Sequence, residues 1–143
     1  MSPKNHLLIS TGISVGLQMT LHSWPATAAC FLSGVLIDVD HYVEFYLHKK
    51  KIPQYQELVD FCIPYRESKV YLIFHAWEYL AALWFLIFWY HLDAVWVGMG
   101  IGLTVHMALD QFSNPVYPLG YFLAYRIKHG FRSAQLFKPH GLA

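Results

Sequence analysis

Three short spacings set histidines beside carboxylates. His106 and Asp110 stand at i and i+4, Asp38 and His41 at i and i+3, and His75 and Glu78 at i and i+3. On a helix each spacing puts both side chains on one face, a turn apart. Carboxylate oxygens and neutral imidazole nitrogens are natural ligands of a divalent cation, and Zn2+ is the ion this mixture suits. His6 and Asp40 add two more ligand-type groups. A bound ion of this kind lowers the pKa of water toward ~7 and polarises an electrophilic oxygen. Asp40 or Glu78, where not consumed in ligation, is then the candidate catalytic base.

Each group also has a plainer structural reading. A lone histidine among helices commonly serves as an interhelical hydrogen bond, and that or solvent exposure is the reading for His22, His48, His91, His129 and His140. Glu78 has an ion pair with Lys69 or Arg66 as its alternative, and 38–41 could be a polar helix end. The joint set of His6, Asp38, Asp40, His41, His75, His106 and Asp110 favours a metal. Cys30 and Cys62 form no spaced framework, so neither a disulfide scaffold nor a zinc finger is expected. The chain contains no glycine-rich phosphate loop, nucleophilic serine or cysteine motif, or nucleotide fingerprint.

The elements that must position these residues are apolar helices. Hydrophobic residues make up 56% of the 143 residues and charged ones 13%, about half the share of roughly 25% in soluble domains. That supply of polar groups is too small to coat a soluble domain of this size. Four helices are expected over about 6–21, 25–45, 70–90 and 94–112. Gly12, Ser14, Gly16 and Gln18, small or polar, suit the first to close packing against a neighbour, and Trp24–Pro25 marks the start of the second. Residues 48–69 carry Lys49, Lys50, Lys51, Glu57, Asp60, Arg66 and Glu67 and are broken by Pro53 and Pro64. They read as a solvent-side loop with one short amphipathic helix at 55–61. The tail, about 116–143, mixes Arg126, Lys128, Arg132 and Lys138 with aromatics and suits a membrane surface. A secretory signal with Ala28–Ala29–Cys30 as its cleavage or lipidation site fits poorly. The run before it is interrupted by Thr11, Ser14, Gln18, Thr20 and His22, so an uncleaved first helix is expected.

The expected architecture is therefore all-α: a multi-pass membrane helical bundle of about four transmembrane helices in a single domain, with an interfacial C-terminal segment. The segments are short against the ~20 residues that cross hydrocarbon, which keeps a packed soluble bundle as the rival. Charge placement favours the membrane. All ten Lys and Arg fall at the N-terminus, in 48–69 or in the tail, and the connections 22–25 and 91–93 hold none. The positive-inside rule then makes the basic side cytoplasmic, with both termini on it. The net charge of +1 gives no reason to expect nucleic acid.

Helix arithmetic brings the ligand-type residues to one level. His6 opens the first helix on the basic side. Asp38, Asp40 and His41 lie ~20–24 Å past Pro25, His75 lies ~9 Å inward from Lys69, and His106 and Asp110 lie ~20–26 Å past Asp93. Aspartate at a helix centre in a bilayer costs about 2.5–3.5 kcal/mol on insertion scales, so a neutralising cation is the economical explanation.

In this order, Asn5–His6–Leu7–Leu8, Asp38–Val39–Asp40–His41, a lone histidine opening the third helix, and His106–Met107–Ala108–Leu109–Asp110 form a pattern. It resembles the membrane-bound metal-dependent hydrolases, among them the bacterial LexA-regulated members, a family distantly similar to zinc-dependent phospholipase C. The resemblance covers residues from about 5 to 120, and order and spacing carry it. It implies His6, Asp38, Asp40, His41, His75, His106 and Asp110 as metal ligands or their immediate partners, in a bacterial inner membrane. It further implies a lipid or phosphoester substrate at the cytoplasmic face, next to the lipid bilayer. Where members often carry a further histidine this chain has Val70, and Phe74 stands where a threonine is usual; Glu78 is the expected substitute ligand. Two rivals share the residues: a structural ion without catalysis, and a transport or scaffold protein with a polar interhelical network.

Overall fold

The computed structural model describes residues 3–62 and 69–138. Pro64, Arg66, Glu67 and His140, named above, lie outside the described residues. The regular elements among the described residues are helices, apart from two isolated antiparallel bridges, Lys69 to Arg132 and Val116 to Phe137. The helices are α1 (Pro3–Leu21), α2 (Trp24–Leu36), α3 (Val39–Lys49), α4 (Tyr55–Phe61), α5 (Trp77–Tyr90), α6 (Ala94–Ser113), α7 (Leu123–Lys128) and α8 (Ser133–Leu136). The all-α expectation holds, and α1, α4 and α6 fall close to where the sequence puts them.

Local chemistry sets the ends. Ser23 caps α2, its hydroxyl accepting the Ala26 N–H, and Pro25 sits in the first turn, where its missing N–H costs nothing. His22, Lys50 and His91 follow α1, α3 and α5 with φ of 50°, 56° and 50°, left-handed conformations that stop a helix. His48 and His129 donate their Nδ1–H to the carbonyls of Glu44 and Tyr125, four residues back. The plain structural reading thus suits these four histidines.

Two boundaries differ from expectation. The second helix is divided at Ile37 and Asp38, where the His41 N–H bonds to the Asp38 carbonyl three residues back instead of four. The third begins at Trp77, not near Val70. Residues 70–76 are non-helical because their peptide groups bond elsewhere. Glu44 accepts the N–H groups of Tyr71 and Leu72, and Arg126 donates to the carbonyls of Tyr71, Leu72 and His75. Leu72 has φ 40°, a strained conformation for leucine that persists only where surroundings over-determine it.

The chain divides into two compact units, Met1–Ile37 with Glu78–Asp110 and Asp38–Trp77 with Gln111–Ala143. The first unit holds α1, α2, nearly all of α5 and most of α6. Its buried residues include Leu17, Ala26, Cys30, Leu80, Ile87 and Met107. Here α2 and α6 touch backbone to backbone: a Cβ added at Gly98 would overlap the Ala26 carbonyl, and one at Gly102 the Cys30 carbonyl. Ala26, Cys30 and Gly34 therefore face Gly98, Gly102 and His106 in steps of four, which makes the two helices parallel and in register. Of the small residues expected to pack on α1, Ser14 is buried, together with Ser10, whereas a Cβ at Gly12 or Gly16 would meet open space.

The second unit holds α3, α4, α7, α8 and the segment 69–76, around Phe45, Leu58, Leu72, Val116, Tyr121, Leu136 and Phe137. Arg126 is not at a surface rim as expected of the tail; it is buried against 71–75, whereas Lys128 and Arg132 are exposed. α4 opens with a capping box between Gln54 and Glu57. The Lys51 ammonium beside Glu57 holds its carboxyl below the ordinary 4.5, helped by the Gln54 N–H. A carboxylate with a depressed folded pKa stabilises fully above its unfolded value and loses that contribution as pH falls through the folded one. Acidification below 4.5 should therefore fray the start of α4, seen as lower amide protection factors at 55–58, taken relative to the intrinsic exchange rate at each pH, and absent in Glu57→Gln. Equal protection factors above and below that pH would refute it.

By length and composition, one helical run among the described residues, Trp24–Lys49, is long and apolar enough to cross a membrane.

Candidate metal centre

In the first unit the site is built on α1 and α6. His6 Nε2 lies 2.9 Å from Asp110 Oδ1, and His106 Nε2 lies 3.5 Å from Asp110 Oδ2. The two imidazoles stack at 4.1 Å, 18° from parallel. All three residues are buried, at 3% exposure or less. His106 Nδ1 is 2.8 Å from the Gly34 carbonyl. A carbonyl only accepts, so Nδ1 carries the proton, and in the neutral ring Nε2 presents a lone pair toward the Asp110 carboxylate. Lone pair against carboxylate in a buried place is repulsive unless a proton or cation stands between them. Metal-binding histidines characteristically donate their other N–H to a backbone carbonyl in this way.

In the second unit Asp40, His41 and His75 form a group that could hold a metal ion. Asp40 is 4% exposed, and its Oδ2 accepts from His75 Nδ1 at 2.9 Å and from the Phe74 N–H at 3.1 Å. With Nδ1 so occupied, His75 has Nε2 for a ligand. That atom lies 3.6 Å from Asp38 Oδ1, and His41 Nε2 lies 3.6 Å from the same oxygen. Such separations are long for hydrogen bonds. They are close to the ~3.3 Å expected between two atoms each about 2.0–2.1 Å from one tetrahedral ion. His41 Nδ1 faces the Cys62 thiol at 3.5 Å.

The residues fit a divalent cation. The donor set is imidazole and carboxylate, the protonated nitrogens of His75 and His106 are tied to acceptors, and two buried atoms, His6 Nδ1 and Asp40 Oδ1, have no hydrogen-bond partner. Of the seven residues the sequence singles out, the first unit brings together His6, His106 and Asp110, and the second Asp38, Asp40, His41 and His75. Glu78 differs. Its helical i,i+3 relation to His75 does not exist, because His75 precedes the start of α5, and Glu78 lies half-buried in that helix's first turn.

Two buried residues near the second group escape the sequence reading, Glu44 and Arg126. Glu44 had a signal: it follows Asp40 by four residues, on the same face of α3. Arg126 had none, since a single arginine among aromatics looks like a surface anchor.

The chain matches no protein-family model, no curated protein and no solved structure.

Proposed function

We propose that this chain is a four-pass membrane metalloprotein of the bacterial inner membrane, with both termini cytoplasmic, that holds a divalent cation, Zn2+, on its histidines and aspartates. We further propose that it hydrolyses an amphiphilic phosphoester, such as a phospholipid, at the cytoplasmic face. The observation that carries the reading is His106, whose Nδ1–H is spent on Gly34 while Nε2 faces the buried Asp110 carboxylate. His6, His106 and Asp110, and Asp38, His41 and His75, are the residues that would hold metal. A bound ion of this kind supplies Lewis acidity and lowers the pKa of water. Asp40 orients His75 and fixes its tautomer. Glu78 remains the proposed base or substitute ligand.

The membrane part is supported by the exposed apolar surface of the first unit. Leu8, Met19, Phe88 and Trp89 are each at least 67% exposed, and water penalises large apolar side chains left in the open. Trp24, Trp89, Tyr90 and Trp96 are all exposed and lie at the helix ends that adjoin the two connections without Lys or Arg. Aromatic girdles of this kind mark a membrane–water boundary.

Protein purified in detergent and equilibrated with Zn2+ should retain at least about one tightly held ion per chain, as a folded imidazole–carboxylate site requires. It should also release the head group or phosphate from phosphodiester or phosphomonoester lipids in a chelator-sensitive manner. Retention below one ion would overturn the metal reading. Full loading without hydrolysis across both lipid classes would overturn the catalytic part. A structural ion is the second reading, favoured by the burial of His106 and Asp110, since structural sites are closed.

A further inference from the structure

Glu44 and Arg126 are ionisable groups buried to 4% and 1% exposure, a costly arrangement unless hydrogen bonds answer it. Both direct those bonds at the irregular segment 71–75. Glu44 takes the Tyr71 N–H with both carboxylate oxygens and the Leu72 N–H with one. Arg126 bonds through Nη1 to the Tyr71 and Leu72 carbonyls and through Nη2 to the His75 carbonyl at 2.7 Å. The peptide groups of 71 and 72 are thus held from both sides by opposite charges, in a stretch where Leu72 has left-handed φ.

We infer that Glu44 and Arg126 are positioning residues for the metal-binding imidazole of His75, an inference that rests on the metal reading above. The grip ends on His75 itself. Arg126 fixes its carbonyl, the Leu72 carbonyl takes its N–H, and Asp40 takes its ring Nδ1–H and the Phe74 N–H. Backbone and ring are both tied, so Nε2 keeps one direction. A helix would have supplied that rigidity through its own hydrogen bonds; the irregular segment borrows it from two charged side chains on α3 and α7. The planar fork matters beyond the charge. One guanidinium spans three carbonyls through two nitrogens, which a lysine ammonium cannot reproduce.

The test uses the full chain in detergent with Co2+ as the probe, for wild type, Arg126→Lys, Glu44→Gln and, as a control, Leu136→Ala. Leu136 is buried in the same unit. Arg126→Lys and Glu44→Gln should each weaken Co2+ binding by about 10–100-fold, the usual effect of losing an orienting partner, and alter the cobalt visible spectrum. Lysine should not rescue affinity. Leu136→Ala should lower thermal stability while leaving affinity and spectrum as in wild type. The inference is overturned if both clamp variants bind Co2+ within about twofold of wild type with an unchanged spectrum. It is also overturned if Leu136→Ala shifts affinity and spectrum as far as they do. Wild type that takes up no Co2+ would instead overturn the metal reading, and this inference with it.

Discussion

Asp110→Asn should cost more metal affinity than any other single substitution in the first unit, while leaving the metal-free protein folded. Asp110 is the residue on which His6 and His106 both converge, one on each carboxylate oxygen. Asparagine keeps the shape but removes the charge and replaces one oxygen by a donor. Losing an outer hydrogen-bond partner already costs 10–100-fold in affinity, so losing the ligand itself should exceed about 100-fold. Stability should move in opposite senses in the two states. Without metal, a buried carboxylate facing an imidazole lone pair is a liability, and neutralising it should leave thermal stability equal or higher. With saturating Zn2+, the wild type gains stability by mass action and the variant should gain almost none. Chelator competition measures the first quantity and thermal unfolding with and without Zn2+ the second. If the variant loses stability equally in both states and keeps its affinity, Asp110 is a structural hydrogen-bond acceptor and not a ligand.

The second large effect is expected at a residue with no functional group. Gly102→Ala puts a methyl into the Cys30 carbonyl and the Ser33 hydroxyl. Ser33 also bridges to α6 through the Met99 carbonyl. Backbone cannot retreat as a flexible side chain can, so α2 and α6 must separate. Overpacking of this kind costs about 1–3 kcal/mol and sometimes more, and the upper end is expected here because a backbone carbonyl is struck. Gly102 precedes His106 by one turn on the same face, so the separation also stretches the bond from His106 Nδ1 to Gly34. Thermal unfolding and Zn2+ affinity should fall together. Gly12→Ala, on the open face of α1, replaces a helix-weakening glycine and should lower neither, and a comparable loss there would show that the effect does not come from the contact between α2 and α6.

Much of this was legible in the sequence, and the exceptions have definite causes. α1 and α6 follow from apolar runs bounded by polar connections, and α4 from a short amphipathic stretch after Pro53. His106 and Asp110 were readable as a pair because both lie on one uninterrupted helix. Residues 70–76 were not readable. Tyr71, Leu72, Ile73 and Phe74 look like the opening of an apolar helix, and only Glu44, 27 residues away from Tyr71, and Arg126, 55 residues away, decide otherwise. Tertiary hydrogen bonds overrode local preference there, which spacing along the chain cannot reveal. The small residues of α2 and α6 did advertise themselves, as Ala26, Cys30 and Gly34 and as Gly98 and Gly102 at intervals of four.

The parallel contact of α2 with α6 has a consequence for heredity as much as for packing. Because no side-chain layer separates the two backbones, a peptide oxygen of one helix can dictate which nitrogen of an imidazole on the other carries the proton. The acid–base character of His106 is thereby encoded partly in codons for glycine. A saturation screen for lost function should accordingly light up at Gly98 and Gly102, which have no ligand atom of their own, with the intensity expected of the ligands themselves.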